Sequence, residues 1–203
     1  AMKLGAKIFL CNLVIFSVCL YYPIDWTLEN LRIRYLEGVE DPLVDQANIL
    51  AAMAGQDMAA GRFNPDRLYN AFQQGYDRQL SAKIYDLDKQ QVDMLVYITD
   101  TAGRIVFHSA DKEEVGADYS DWRDVALTLE GRYGARTTLR DPADETSSVL
   151  HVAAPVMADG KLAGVLTVAK PTTSINTFLK GAKAKIVNVG AISVLTAILL
   201  SYG

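Results

Sequence analysis

The chain contains two histidines, His108 and His151, the side chains best suited to bind a metal or move a proton near neutral pH. They are far apart in sequence, and no H-x-x-x-H or H-x-x-E spacing surrounds either one, so the pattern does not predict a zinc site. Hydrolase, P-loop and dinucleotide-binding motifs are also missing from the sequence. We therefore predict no catalytic residue, no metal and no cofactor. The histidines are either structural or contacts to a bound ligand.

The segment DYSDWRD, residues 118–124, could close over a small anion. Tyr119 and Trp122 offer aromatic faces, and the guanidinium of Arg123 can pair with a carboxylate through two hydrogen bonds. The alternative is that Trp122 belongs to the core and Arg123 pairs with a neighbouring carboxylate of the chain.

The following segment, RYGAR, predicts a strand with Arg132, Gly134 and Arg136 on one face. If that face lines a pocket, Arg136 is the best partner for a carboxylate. If it does not, both arginines are solvated charges at a sheet edge. Together these patterns predict seven ligand contacts: Tyr97, His108, Tyr119, Trp122, Arg123, Arg136 and His151.

The elements that position these side chains follow from the hydrophobic pattern. VDMLVYITD and RIVFHS are β-rich runs separated by TAG, in which Gly103 supplies the positive φ of a tight turn. SDWRDVALTLEG predicts a short helix that Ser120 caps and Gly131 ends. RYGARTTL, VLHVAAPVM and KLAGVLTVAK are three further strands, the last ended by Pro171. Hairpin-type connections predict an antiparallel sheet with helices on one face, an α+β fold.

Two helices precede the sheet. Residues 25–56 predict either one long helix kinked at Pro42 or two helices in line. Asn64 and Pro65 are typical of an N-cap and a first helical position, so a second helix is expected near residues 65–80. The first helix has more apolar residues than its own fold needs, so we predict that it forms the interface of a homodimer.

Both ends of the chain are apolar. Residues 8–22, IFLCNLVIFSVCLYY, follow Lys3 and Lys7, and no small-residue cleavage site comes after them. This predicts an uncleaved transmembrane anchor over residues 1–22, the alternative being a buried hydrophobic helix. A sensor domain over residues 23–171 would follow outside the cytoplasm. Residues 172–203 are predicted to form an exit helix, capped by Thr172 or Thr173, and a second, truncated transmembrane segment.

The charge of the chain argues against nucleic acid as a partner. The net charge is −4, but residues 23–178 hold 15 lysines and arginines against all 24 acidic side chains, a net of −9. Binding of a phosphate backbone requires clustered basic side chains, and this acidic middle has no basic stripe.

The element order, with TDTAGRIVFHS and AAPVMADGKLAGVLTVAKP, resembles the extracytoplasmic Cache (PAS-like) sensor domains of bacterial receptors. Residues 116–171 resemble the sensor region of CreC-type sensor histidine kinases. The resemblance implies a five-stranded antiparallel sheet, a long N-terminal helix across its back and a ligand pocket on its front. In the related dicarboxylate and citrate sensors a basic residue and then a histidine after the hairpin turn bind carboxylate, and Arg104 and His108 fall near those positions.

These observations predict the signal-input module of a membrane-bound sensor histidine kinase. It would bind a small metabolite, with a carboxylate or other anion favoured, in the periplasm, and relay the change through Lys170 and Pro171. The resemblance implies an inner-membrane protein whose cytoplasmic kinase acts on a cognate response regulator. Three alternatives stay open: sensing of a protein or membrane partner, the input domain of a chemoreceptor or diguanylate cyclase, and a membrane-anchored enzyme that uses the two histidines.

Overall fold

The computed structural model describes residues 4–85, 87–144, 147–172, 181, 184–193 and 195–196. The chain divides into two compact units, one of Val39–Thr173 and one of Ala1–Gly38 with Ser174–Gly203. The sheet and the candidate site residues belong to the first unit. None of the helices in the described ranges is both long and apolar enough to cross a membrane. Much of the predicted second span, and Thr173, lie outside the described residues.

The first helix, α1 (Leu4–Ala59), runs through Pro42 without interruption, so the prediction of two helices in line is wrong. Proline removes one backbone hydrogen bond, which a helix of 56 residues with a packed face can tolerate. The part of α1 in the first unit packs on the sheet with residues that recur every three or four positions: Leu43, Ala47, Ala51 and Ala54. Gly55 lets this helix approach closely, because a Cβ there would lie 2.2 Å from the carbonyl oxygen of Met157.

The second helix, α2 (Pro65–Tyr76), begins as predicted and ends earlier than residue 80. The side chain of Asn64 accepts a hydrogen bond from the backbone N–H of Arg67 at 2.9 Å, which confirms the N-cap. A short hairpin follows, β1 (Ala82–Ile84) and β2 (Leu87–Lys89), which the sequence pattern did not predict.

The main sheet has five strands: β3 (Leu95–Thr99), β4 (Ile105–His108), β5 (Gly134–Leu139), β6 (Ser148–Ala158) and β7 (Lys161–Pro171). Their spatial order is β4-β3-β7-β6-β5, and each neighbouring pair is antiparallel. The predicted α+β class, the five-stranded antiparallel sheet and the long N-terminal helix on one face are confirmed.

A third helix, α3 (Arg123–Leu129), lies between β4 and β5 in sequence and packs on the opposite face of the sheet from α1. The prediction that all helices share one face is therefore wrong. We call the α1 side the back face and the α3 side the front face. Val96, Ile98 and Leu166 point to the back, whereas Tyr97 and Val165 point to the front.

Two local details place the site. Gly103 has φ +79° in the β3–β4 turn, as predicted, and a Cβ there would lie 2.5 Å from the Cα of Ser120. The predicted cap at Ser120 is wrong, because the helix begins later, with Trp122 as N-cap. The backbone N–H of Ser120 instead donates to Asp118 Oδ1 at 3.0 Å, within the turn that precedes α3.

Candidate functional site

A cluster of polar and aromatic side chains lies on the front face between the sheet and α3. Strand pairing brings its sheet residues together, because Tyr97 on β3 is opposite Thr167 on β7, and Arg136 on β5 is opposite His151 on β6. α3 and the turn before it supply the rest. We call this set the front cluster: Tyr97, Tyr119, Trp122, Asp124, Arg136, His151 and Thr167.

Asp124 is at the centre of the front cluster and is fully buried. Its Oδ2 accepts hydrogen bonds from the hydroxyl of Tyr97 and from the hydroxyl of Thr167, the latter at 2.9 Å. Its Oδ1 accepts from Nε of Arg136, which makes a buried ion pair. A buried carboxylate requires donors of this kind, because desolvation of an unpaired charge is costly. Asp124 therefore joins α3 to three of the five strands.

Gly134, the first residue of β5, allows α3 to come this close. A Cβ at position 134 would lie 2.1 Å from the carbonyl oxygen of Asp124 and 2.3 Å from Oγ1 of Thr128. That same Thr128 hydroxyl donates to the Asp124 carbonyl at 2.8 Å. The glycine thus sets the distance at which the Asp124 carboxylate reaches Arg136.

The guanidinium of Arg136 is enclosed on several sides, and its side chain is 14% exposed. Its Cζ lies 3.8 Å from the centre of the Trp122 ring, a cation–π contact. Its Nη2 donates to the hydroxyl of Tyr97 at 3.3 Å. Tyr119 stacks on Trp122 with ring centres 3.3 Å apart, and the Tyr119 hydroxyl donates to Glu114 at 3.0 Å. The two aromatic rings therefore cover the ion pair.

His151 is buried beside Arg136. Its Nε2 lies 2.9 Å from Oγ1 of Thr138, and its Nδ1 lies 3.5 Å from Nη2 of Arg136. Since a guanidinium can only donate, Nδ1 accepts and Nε2 carries the proton. Burial and the charge of Arg136 lower the pKa of His151 to about 4, against an opposing effect of Asp124. The imidazole is therefore neutral at neutral pH.

His108 lies at the border of the front cluster, where its ring accepts hydrogen bonds from the backbone. Its Nδ1 accepts from the backbone N–H of Asp111 at 2.9 Å and of Ala110 at 3.3 Å, which orders the chain after β4. Its ring is parallel to that of Tyr97 with centres 6.1 Å apart. Burial lowers the pKa of His108, although Asp111 and Glu114 favour its charged form.

The structure brings most of the predicted contact residues together. Five of the seven are members of the front cluster: Tyr97, Tyr119, Trp122, Arg136 and His151. Arg123 is exposed on α3 and is not in the cluster. Arg132 precedes β5 and pairs at the surface with Glu130 at 3.2 Å, so its predicted place on the strand is wrong.

Sequence reasoning missed Asp124 and Thr167 as members of the front cluster. Asp124 reads as an acid in the first turn of a helix, where such residues are common because they favour the helix dipole. The available signal was its position on one helix face with Val125 and Thr128, all three of which are buried. Thr167 was missed because a β-branched residue is common in any strand and gives no sign of a polar site.

The predicted relay residues lie at the end of β7. Pro171 pairs with Val149 on β6, and Nζ of Lys170 lies 2.9 Å from Oδ1 of Asp93. Asp93 also pairs with Lys89 of the short hairpin at 2.7 Å. Thr172 continues the pairing, since its N–H donates to the carbonyl of Ser148 at 2.7 Å.

The side chains of the front cluster contact one another. Cavities of about 560, 390 and 310 Å³ lie elsewhere in the described part of the chain, and none of the three is lined by a cluster residue. Over the described ranges, no group of three or more His, Cys, Asp or Glu side chains could hold a metal ion.

The chain is similar in sequence to known sensor proteins. Residues 64–189 match the family described as the double sensory domain of two-component sensor kinase. The sensor protein CreC of Escherichia coli (strain K12) is 36% identical over 202 residues, an alignment that covers 100% of this chain and 42% of that protein. The crystal structure of the sensor domain of the V. cholerae histidine kinase DctB is 15% identical, with a TM-score of 0.39, over 84% of this chain and 57% of that one.

The chain belongs to the family of double sensory domains of two-component sensor kinases, because the family model matches more than half of it. The resemblance drawn from the sequence is thus confirmed. The chain spans less than half the length of the curated relative, and it corresponds to the sensory part rather than the catalytic part of such a kinase.

Proposed function

We propose that this chain is the signal-input module of an inner-membrane sensor histidine kinase and that the front cluster is its stimulus-responsive site in the periplasm. The observation that carries the proposal is the buried ion pair between Asp124 and Arg136. Structural cores seldom contain buried charges, since replacement by apolar residues is often neutral or stabilising. Family membership and the place of the pair between α3 and the sheet support a sensory role.

The ion pair restricts the kind of ligand that can act here. Because Asp124 already occupies the Nε edge of Arg136, a ligand carboxylate would bind by taking the place of Asp124. That exchange would release α3 from the sheet and remove the acceptor of the Thr167 hydroxyl. The stimulus would shift the module between two states by its different affinity for them.

The signal would leave through β7. Thr167 lies on the same strand as Lys170 and Pro171, where the strand ends. A change at the Asp124 carboxylate would alter the position of this strand and of the exit segment after it. In the whole protein, a homodimer formed through α1 would carry this change to a cytoplasmic kinase and a cognate response regulator.

The test is a thermal-shift and calorimetric panel of mono-, di- and tricarboxylates on the full chain. We expect one class to bind, Arg136→Gln to abolish its binding, and Asp124→Asn to strengthen it about tenfold because the competing carboxylate is gone. Arg123→Gln is the matched control, since Arg123 is exposed and outside the front cluster. Binding that survives Arg136→Gln would contradict the proposed site.

A second candidate is recognition of a protein partner, favoured by the fact that Arg136 is already bound by Asp124 and Trp122 of the chain itself. In that case no carboxylate would stabilise either the wild type or Asp124→Asn. Signalling by the whole kinase would instead depend on exposed residues around the cluster, such as Arg123 and Tyr133.

A further inference from the structure

We propose that the back face of the sheet contains a second binding site, for a small amphipathic anion with a single apolar chain and a carboxylate headgroup. The site is the cavity of about 390 Å³ between the C-terminal turns of α1, α2 and strands β3 and β7. Its volume falls in the range of small-molecule sites, ~300–1,000 Å³. It lies on the opposite side of the sheet from the front cluster and shares no residue with it.

The floor and walls of this back cavity are apolar. Val96 and Ile98 of β3 and Leu166 of β7 form the floor. The walls come from both helices and the loop between them: Leu50, Met53, Ala54, Phe63, Leu68, Ala71 and Phe72. Such a lining favours a hydrocarbon chain, because burial removes apolar surface from water on both partners.

The cavity arises from the way α2 packs. No residue of α2 is fully buried, and Leu68 and Phe72 only partly cover the core formed by α1 and the sheet. The Tyr76 hydroxyl donates to Ser109 Oγ at 2.6 Å, and Gln73 donates to the Ser109 carbonyl at 2.8 Å. Nearer the start of the helix, Lys112 pairs with Asp66. Both attachments are to the segment that follows β4, and space stays open between α2 and α1.

The mouth of the cavity carries an unbalanced positive charge. Arg62, Arg67 and Asp57 all line it, and Asp57 pairs with Arg62 at 3.6 Å. Within the described ranges, no ion pair involves Arg67. The nearest acid in sequence, Asp66, pairs instead with Lys112 at 2.9 Å. Charge complementarity thus selects an anionic headgroup over a neutral or cationic one.

The volume limits the size of the ligand. The cavity of about 390 Å³ lies near the lower end of the range for small-molecule sites, ~300–1,000 Å³. A single chain of the size of decanoate suits such a cavity, whereas a two-chain phospholipid does not. We therefore assign the site to a free medium-chain carboxylic acid or an acid of similar size and shape.

The experiment uses a decanoic acid analogue with a diazirine in its chain, cross-linked to the full chain in nanodiscs of zwitterionic lipid. We expect labelled peptides that include Met53, Leu68 or Phe72, and labelling that excess decanoate suppresses and excess decanol does not. Ala71→Trp should abolish saturable labelling by filling the cavity. Arg67→Gln should weaken decanoate competition about three- to fivefold, the effect of an exposed ion pair.

Matched controls keep the result interpretable. Asn70→Trp places the same bulk on an exposed position of α2 outside the cavity, and Arg78→Gln removes an exposed arginine beyond the helix. Both should label like the wild type, with thermal unfolding confirming that all four variants fold. Labelling of these peptides that persists in Ala71→Trp, or equal competition by decanol and decanoate, would overturn the proposal.

Discussion

The ion pair between Asp124 and Arg136 gives the sharpest prediction. We expect Asp124→Ala and Arg136→Ala each to lower the free energy of unfolding by about 4 kcal/mol, because loss of one partner of a buried pair costs ~3–5 kcal/mol. The first change leaves a guanidinium that is 14% exposed without its carboxylate, and the hydroxyls of Tyr97 and Thr167 lose their acceptor. The second leaves a carboxylate with no exposed surface and without its countercharge.

The double variant should be far less destabilised than the two single changes together. With both charges removed, the cavity, the lost contacts and the two hydroxyls without an acceptor remain, a total cost of about 4 kcal/mol. The double-mutant cycle then gives a coupling free energy of about 4 kcal/mol. That is well above the ~1 kcal/mol limit for pairs at a protein surface.

Urea unfolding of the full chain provides the measurement. In a Trp26→Phe background, Trp122 is the remaining tryptophan, and its ring lies 3.8 Å from the guanidinium that the substitutions remove. Its fluorescence therefore reports both the local contact and unfolding. Near-ultraviolet circular dichroism checks that the transitions coincide, as two-state analysis requires.

Two results would refute this reasoning. Single variants within 1 kcal/mol of the wild type would mean that the pair is solvated, and additive single changes would mean that the two charges do not interact. Arg132→Ala is the matched control, since Arg132 pairs with Glu130 at the surface with both side chains more than 60% exposed. It should change stability by less than about 1 kcal/mol.

Three further predictions concern the same unit. The pKa of His151 is lowered to about 4 in the folded chain, so the unfolded chain takes up the proton first as the pH falls. The free energy of unfolding should therefore decrease by up to about 3 kcal/mol as the pH is lowered from about 6.5 to 4. His151→Gln should flatten that part of the pH profile in urea titrations. Gly134→Ala should cost about 3 kcal/mol through overlap with α3, whereas Gly75→Ala, where nothing lies within 4 Å, should be neutral or stabilising by thermal unfolding. Asn64→Ala should cost about 1 kcal/mol by loss of the α2 cap, measured the same way, and an unchanged midpoint would exclude the cap as a source of stability.

Much of the fold follows from local sequence signals. The turn at Gly103, the cap at Asn64 and the alternation in the strands each depend on residues close in sequence, and the structure bears them out. The sequence placed the start of α3 too early, at Ser120. In the structure the backbone N–H of Ser120 donates to Asp118 within a turn, and the helix begins after that turn. The hairpin of β1 and β2 was missed because three-residue strands with polar side chains give no periodic signal.

The site was only partly predictable because its central contact is tertiary. Arg136 was recognised as a partner for a carboxylate, and the carboxylate that it binds belongs to the chain itself, twelve residues earlier in sequence. The one local sign that separates Asp124 from the acids that commonly begin helices is the helix face that it shares with Val125 and Thr128. Its role depends on Gly134, which brings α3 onto β5, and on the register that places Tyr97 opposite Thr167.

Strand β7 has one further consequence. Thr167 donates to Asp124 on the front face, while the preceding residue, Leu166, lines the back cavity. A strand in the middle of a sheet cannot move one of these residues without the other. Any ligand of the back cavity that changes the affinity of the front cluster must therefore have its own affinity changed by the same factor. The sheet would then couple the two sites, and measurement of one binding constant at saturation of the other site would give both the sign and the size of the coupling.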